Sequence, residues 1–305
     1  MSKALLALVC SPLLIAASCE KKSATADPGM VAALDHSGSG AKVAEGDGPV
    51  DKTPLAGIDV GALSSERQDS FYKLVGSLSS PCGKAESLRK SFTSDTSCKR
   101  APFAVRYVKA MLEDEINESE VREAYENKYK PNDKPVKFDV SKAPHAGAED
   151  APVKLYEFYD YGCPHCQAFK PMMDRVVQDE QGKVVEYFLQ FPLEKHPDSK
   201  SAAQAALAAA QQGKFKEMHD VLFEKAPLHD HEHVVGYAKD LGLDMAKFEA
   251  AYQAAQGQVE SDIRQGDSAG VDATPTLFFN DRKYEGPMSP KYIEMWIDEE
   301  VAVNR

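Results

Sequence analysis

The cysteines at Cys163 and Cys166 constrain the fold of this chain more than any other feature of its sequence. They follow Val153–Tyr159, a dense run of β-prone residues, and the sequence after them is typical of a helix. A strand that leads into a helix through Cys-Pro-His-Cys places one sulfur at the helix N-terminus and the other in its first turn. Unpaired N–H groups and the helix dipole stabilise a thiolate at that position.

Each residue of this motif has an expected role. We expect Cys163 to be the nucleophile that forms a mixed disulfide, and Cys166 to resolve it from the more buried side. Pro164 suits the first helical position, and a protonated His165 favours the Cys163 thiolate. A structural zinc site would need a second ligand pair at suitable spacing, and a disulfide across two residues is strained and reducible. We therefore interpret Cys163–Cys166 as a redox-active disulfide.

The surrounding patterns predict an α/β domain. Alternating or densely apolar runs predict strands at Val136–Val140, Val153–Tyr159, Val184–Phe191, Thr276–Phe279 and Lys283–Tyr284. A long Ala-rich stretch, Ser199–Ala269, reads as several helices, and Ser289-Pro290 begins a closing helix.

The stretch before this domain predicts a helical unit over residues 57–131, which ends near Pro131 and Pro135. Cys82 and Cys98 flank one of its short helices. Closing a loop of that length contributes about 3 kcal/mol by chain entropy, so we interpret the pair as a structural disulfide. A second redox pair is the alternative.

The N-terminus predicts export. Lys3 precedes the apolar run Ala4–Ser18, which has the length of a signal-peptide core and is too short to span a bilayer. The small residues before Cys19 resemble a bacterial lipobox, which predicts a signal peptide over residues 1–19 and a lipid on Cys19. Secretion with cleavage near Ala17 is the alternative. Residues 20–56, poor in large apolar side chains, predict a flexible linker.

Composition excludes other classes of function. The net charge of -12 disfavours a nucleic-acid partner, which needs clustered cations. The sequence has no Gly-x-Gly-x-x-Gly motif, so no cofactor is expected. His229–His233 carries three histidines that are capable of binding a metal, but we interpret it as an exposed loop between helices and expect no metal.

Several segments together resemble the DsbA-like branch of the thioredoxin superfamily. These are Val153–Phe158, the Cys163–Cys166 motif and Val271–Thr276, in that order. Pro171 matches the family's helix-kinking proline, and Ser199–Ala269 matches its helical insertion. The resemblance implies a thioredoxin-like fold with a helical insertion over residues 132–305, preceded here by the small all-α unit.

The resemblance also implies further site residues. Thr274-Pro275 would form a cis-proline loop that faces the redox pair and offers backbone groups to an extended substrate peptide. Glu157 would be a buried acid that relays the proton of Cys166; a strand carboxylate facing solvent is the alternative. Thr274 departs from the valine that some oxidants have before the cis-proline, and threonine occurs both in isomerase-type relatives and in other DsbA-like oxidants.

Taken together, these features predict a periplasmic protein disulfide oxidoreductase, acting as an oxidant and lipid-anchored to a bacterial membrane. The expected partners are exported proteins with thiols or disulfides, and a membrane redox partner that recycles Cys163 and Cys166. A reductase or isomerase on the same fold, and a non-catalytic module that binds a client, are the alternatives.

Overall fold

The computed structural model describes residues 49–132 and 134–304 of the chain. The predicted signal peptide, Cys19 and the first part of the predicted linker, up to residue 48, lie outside the described residues. The last residues of that linker contact the helices that follow. Leu55 is buried, and the Arg89 guanidinium donates to the backbone carbonyl of Thr53 at 2.6 Å.

Four helices form the N-terminal part of the described chain: α1 Ser65–Ser77, α2 Leu88–Ser94, α3 Ala101–Glu113 and α4 Glu118–Tyr129. Ser64 caps α1 by accepting from the backbone N–H of Arg67. The apolar sides of the helices meet in one core that includes Phe71 and Val108. Cys82 and Cys98 form a disulfide that joins the segments before and after α2, with 5.8 Å between their Cα atoms.

A sheet of five strands lies at the centre of the remaining chain: β1 His145–Ala146, β2 Val153–Tyr159, β3 Val184–Gln190, β4 Thr276–Phe279 and β5 Arg282–Lys283. The strand order is β1-β3-β2-β4-β5, in which β2 and β3 are parallel and the other neighbours are antiparallel. Helix α5, Pro164–Asp179, connects β2 to β3, as a parallel pair requires. The predicted thioredoxin-like α/β fold is confirmed.

The helical insertion follows β3 and consists of α6 Ser199–Ala210, α7 Phe215–Glu224, α8 His231–Asp240 and α9 Met245–Ser268. Small side chains allow close packing here: Ala202, Ala205 and Ala206 are fully buried in α6. The closing helix, α10, spans Pro290–Asn304.

The strand predicted at Val136–Val140 is wrong. This segment has no regular secondary structure and pairs with no strand. The ring of Phe138 packs instead on the rings of Tyr156 at 4.9 Å and Phe278 at 5.0 Å between centroids. Apolar residues therefore alternate here because every second side chain covers a face of the sheet, and not because the backbone joins its ladder.

Helix α10 links the N-terminal helices to the sheet. Trp296 and Ile297 pack in the core on the sheet side, while Tyr292 lies in the core of the N-terminal helices. Glu299 forms ion pairs with Arg100 before α3 and with the buried Lys128 of α4. The described residues form a single compact unit.

Candidate redox site

The two cysteines of the Cys-Pro-His-Cys motif lie at the start of α5. Cys163 is the N-cap residue, Pro164 is the first residue of the helix, and no side chain caps this end. Both sulfurs are free thiols in buried residues, with exposures of 4% for Cys163 and 1% for Cys166. An uncapped helix N-terminus leaves backbone N–H groups without partners inside the helix, and Cys163 is the residue at this end.

The loop before β4 faces this pair. The peptide bond between Thr274 and Pro275 is cis, and the Cys163 thiol donates to the carbonyl oxygen of Thr274 at 3.3 Å. The hydroxyl of Thr274 is buried in this loop, and its interaction with the Cys166 thiol lowers the pKa of that thiol. The sequence-predicted residues Cys163, Cys166, Thr274 and Pro275 thus come together, although the loop lies more than a hundred residues from the motif.

The Cys166 thiol is set to stay protonated. Burial raises its pKa well above the ordinary value, and the negative charge of Glu157 raises it further. The backbone at Asp160 and the side chain of Thr274 partly offset this rise. A buried thiol of this kind needs a nearby proton acceptor before it can attack a disulfide as a thiolate.

Glu157 is the acid whose charge acts on the Cys166 thiol. It lies on β2 with an exposure of 6%, so the alternative of a solvent-facing strand carboxylate does not describe this structure. Burial raises its pKa, while a hydrogen bond with Glu186 on β3 and the charge of Lys170 oppose that rise.

Asp160 was not predicted as a structural element of the site. Its carboxylate accepts from the backbone N–H of Gly162 at 2.8 Å and pairs with Nδ1 of His196 at 2.6 Å. Its carbonyl accepts from the N–H of Cys163 at 3.0 Å. Asp160 therefore fixes the turn that presents Cys163 and ties it to the segment before α6. The sequence gives only a weak signal for this, an acid two residues before a glycine.

Behind the motif lies a buried polar chain that the sequence reading also missed. The hydroxyls of Tyr159 and Tyr161 are 3.0 Å apart, and that of Tyr161 lies 2.9 Å from Nδ1 of His219. Burial lowers the pKa of His219 well below its usual value, so this ring is neutral. The neutral His219 and the tyrosines fill the space between the sheet and α7 without adding charge beside the thiols.

An apolar groove of about 410 Å³ opens beside the motif. It is lined by His165, Ala168, Phe169, Met172, Thr274, Pro275 and Met288. Met288 is 43% exposed, and methionine side chains adapt to varied apolar partners. His165 is exposed at the edge of this groove.

The histidine-rich segment lies elsewhere. His229 is buried and bonds the carbonyl of Leu222, which differs from the exposed loop that we expected. His231 and His233 lie in the first turn of α8 and pair with Glu249 and Asp230. Within residues 49–132 and 134–304, His, Cys, Asp and Glu side chains form no cluster of three suited to a metal ion.

The sequence matches the family model described as Thioredoxin over residues 139–299, more than half of the chain. The chain therefore belongs to the thioredoxin family. Its two free thiols lie at the start of α5, and a dithiol of this kind has the chemistry to exchange disulfides.

The curated proteins with similar sequence include Na(+)/H(+) antiporters that match this chain over a small part of their own length. A Na(+)/H(+) antiporter NhaA 3 of Salinispora tropica is 35% identical over 145 residues, and a Na(+)/H(+) antiporter NhaA of Herminiimonas arsenicoxydans is 34% identical over 144 residues. Each match covers 46% of this chain and 22% of the antiporter, so the chain spans about a fifth of these relatives. No helix in the part of the chain that the structure describes is long and apolar enough to cross a membrane.

Solved structures with a similar fold include oxidised BdbD from Bacillus subtilis, with 25% identity and a TM-score of 0.49 over 55% of this chain and 97% of that one. The catalytic domain of Proteus mirabilis ScsC is 22% identical, with a TM-score of 0.47 over 55% of this chain and 93% of that one.

Proposed function

We propose that this chain is an oxidant of protein thiols in the bacterial periplasm. One observation carries the proposal: Cys163 lies at an uncapped helix start, 3.3 Å from the Thr274 carbonyl, with Cys166 buried behind it. Of these two buried residues, Cys163 is the more accessible, with an exposure of 4% against 1% for Cys166, so an incoming sulfur would reach Cys163 first.

The proposed reaction starts from the Cys163–Cys166 disulfide. A substrate thiolate attacks Sγ of Cys163, the bond to Cys166 breaks, and Cys166 leaves as a thiolate that takes a proton from Glu157. The second substrate thiolate then attacks the substrate sulfur of the mixed disulfide and releases the Cys163 thiolate. The substrate loses two electrons and the enzyme gains them. A membrane redox partner must then reoxidise the pair.

The groove indicates the class of substrate. An extended segment that hydrogen-bonds the backbone beside Pro275 would place its neighbouring side chains on Met172 and Met288. We propose that unfolded segments of exported proteins, with a cysteine flanked by apolar residues, bind here. His165 lines the same groove, two residues after Cys163, and would contact the bound segment.

Export and anchoring are part of the proposal. The apolar run Ala4–Ser18 and the small residues before Cys19 support a signal peptide and a lipid anchor. We also propose that Cys82–Cys98 is a structural disulfide, because Cys98 is buried in the N-terminal helices. Residues 57–131 would then form an added unit on a catalytic part that begins at residue 132.

The redox potential of the Cys163–Cys166 pair tests the direction of transfer. A strong oxidant of this fold has a reduction potential of about -120 mV, and thioredoxin has one of about -270 mV. We expect a value close to the first when the chain is equilibrated with glutathione buffers. A value near that of thioredoxin would contradict an oxidant. A reductase or isomerase is the second candidate, because Thr274 is shared with isomerase-type relatives as well as with other oxidants.

Trapping identifies the substrates. A Cys166→Ala chain keeps the nucleophile but cannot resolve the mixed disulfide, so exported proteins should remain attached to Cys163 and separate on reduction. The matched control is Cys163→Ser, which should capture none. If Cys163→Ser retained all activity of the protein, it would instead be a non-catalytic module that binds a client.

A further inference from the structure

A second buried carboxyl lies beside Glu157. Leu155 of β2 pairs with Glu186 of β3 in the parallel register, and Glu157 is the next residue of β2 on that face. This is the face that α5 covers, since Leu155 and Val184 pack there with helix residues. Glu186 is 2% exposed, so the two acids lie side by side inside the protein.

The two carboxyl groups are hydrogen-bond partners. Two ionised carboxylates have no proton to share, so this bond requires that one group is protonated. Glu186 is more deeply buried than Glu157, with an exposure of 2% against 6%, so Glu186 is the group that keeps its proton. Burial raises its pKa well above the usual value, and the charge of Glu157 raises it further. One oxygen of Glu186, Oε1, is buried and has no hydrogen-bond partner.

The charged groups near Glu157 and Glu186 do not take over the role of the hydrogen bond between them. Lys170 of α5 directs its ammonium to Asp174 at 2.6 Å and to Asp220 of α7 at 2.5 Å. The ionisable groups that face the two acids are Cys166, Lys170 and Asp174 of α5, Tyr159 and Tyr161 at the end of β2, and Lys216 of α7. The positive charges of Lys170 and Lys216 lower the pKa values of Glu157 and Glu186 and so oppose the rise that burial causes. Each lysine, however, pairs with aspartates nearer the surface.

We propose that Glu186 is a positioning residue for the proton step of Cys166: its protonated carboxyl donates a hydrogen bond to Glu157 and so allows Glu157 to ionise within the apolar core. This inference rests on the proposed function. In the reoxidation of the pair, when a sulfur of the redox partner is joined to Cys163, the S–H proton of Cys166 passes to the Glu157 carboxylate, the Cys166 sulfur bonds to Cys163, and the partner sulfur leaves as a thiolate. Without the bond from Glu186, Glu157 keeps its proton to higher pH and cannot accept another.

The test uses the full chain with glutathione joined to Cys163 as a mixed disulfide. Cys166 releases the glutathione in buffers between pH 5 and 9. The rate of release is measured by quenching samples with acid and separating the products by chromatography. Glu186→Leu removes the carboxyl that donates the hydrogen bond to Glu157. Glu186→Gln keeps a side chain of similar size, whose amide N–H can donate and does not titrate. We expect the pH midpoint of release to rise by about one to two units in Glu186→Leu, and to stay near that of the unsubstituted chain in Glu186→Gln.

Two outcomes would overturn the proposal: equal midpoints in all three chains, or equal shifts in both variants, which would indicate a packing role. Glu186→Met provides a second apolar variant if Glu186→Leu does not fold, as judged by circular dichroism. Carbon-13 NMR titration of the glutamate side chains reports the ionisation of Glu157 directly. The NMR titration separates the proposed function from the proposed role of Glu186. A chain that exchanged no disulfides at any pH would fail as an oxidoreductase, but its titration would still show whether Glu186 controls the ionisation of Glu157.

Discussion

Gly162 is the residue at which the catalytic turn meets the helical insertion. A Cβ atom at this position would lie 2.4 Å from Oγ of Ser199 and 2.8 Å from Cβ of His196. The backbone N–H of Gly162 also donates to the carboxylate of Asp160 and to the Ser199 hydroxyl. The turn before Cys163 can approach the start of α6 this closely only because residue 162 has no side chain.

We therefore expect Gly162→Ala to destabilise the chain by about 1–3 kcal/mol, since backbone and the fixed His196 must shift to make room. Urea unfolding at pH 7 measures this, and alkylation of Cys163 should change in rate as its turn moves. The matched control is Gly236→Ala in α8, where a Cβ meets nothing within 4 Å. That change should stabilise by up to about 1 kcal/mol, and similar losses in both variants would contradict the steric account.

At the scale of elements, the sequence predicts best where a local pattern decides the structure. The strand Val153–Tyr159 and the helix that begins at Pro164 follow from residue type and spacing over a few positions. The Val136–Val140 prediction failed because side-chain alternation reports which face is covered, not which backbone groups pair. The bond between Asp160 and His196 crosses 36 residues, so no local pattern contains it.

A buried acid of helix α9 forms a hydrogen bond with strand β3. Asp262 is fully buried, and its carboxyl accepts from the backbone N–H of Gln190 at 3.1 Å and from the side chain of Gln258 at 2.9 Å. Burial raises its pKa from 3.8 to about 7, and the two hydrogen bonds oppose that rise. Because the folded state binds this proton more tightly, its contribution to stability is complete below about pH 4 and is lost as the pH rises through about 7.

Asp262→Asn should remove this dependence on pH, since the amide oxygen still accepts from Gln190 and the group no longer ionises. We expect the variant to unfold with a free energy up to about 4 kcal/mol higher than the natural chain at pH 8, and similar to it at pH 4. Asp230→Asn is the control, because hydrogen bonds from His233 lower the pKa of this exposed aspartate and the expected pH trend is reversed. A difference that is constant from pH 4 to 8 would rule out titration of Asp262 as the cause.

Across the whole molecule, a buried ionic cluster joins the N-terminal helices to α10. Lys128 is 4% exposed, and its ammonium lies 2.9 Å from Glu299 and 3.4 Å from the ring centroid of Trp296. Arg100 approaches the other oxygen of Glu299 at 2.7 Å, and the Tyr129 hydroxyl donates to Glu299 at 3.0 Å. Burial lowers the pKa of Lys128, so the carboxylate of Glu299 is what keeps this lysine charged.

Glu299→Gln should therefore destabilise the chain by about 3–5 kcal/mol, because it leaves the buried charge of Lys128 without its partner. Thermal and urea unfolding measure the loss. Lys130→Ala is the control, since Lys130 and Glu285 pair at the surface and such pairs contribute less than about 1 kcal/mol. Adding Lys128→Met to Glu299→Gln should recover much of the loss, because an apolar side chain beside Trp296 needs no counter-ion. If the double variant were no more stable than Glu299→Gln alone, the loss of stability would arise from the packing of α10. The unpaired charge of Lys128 would then not explain why the N-terminal helices depend on the carboxylate of Glu299.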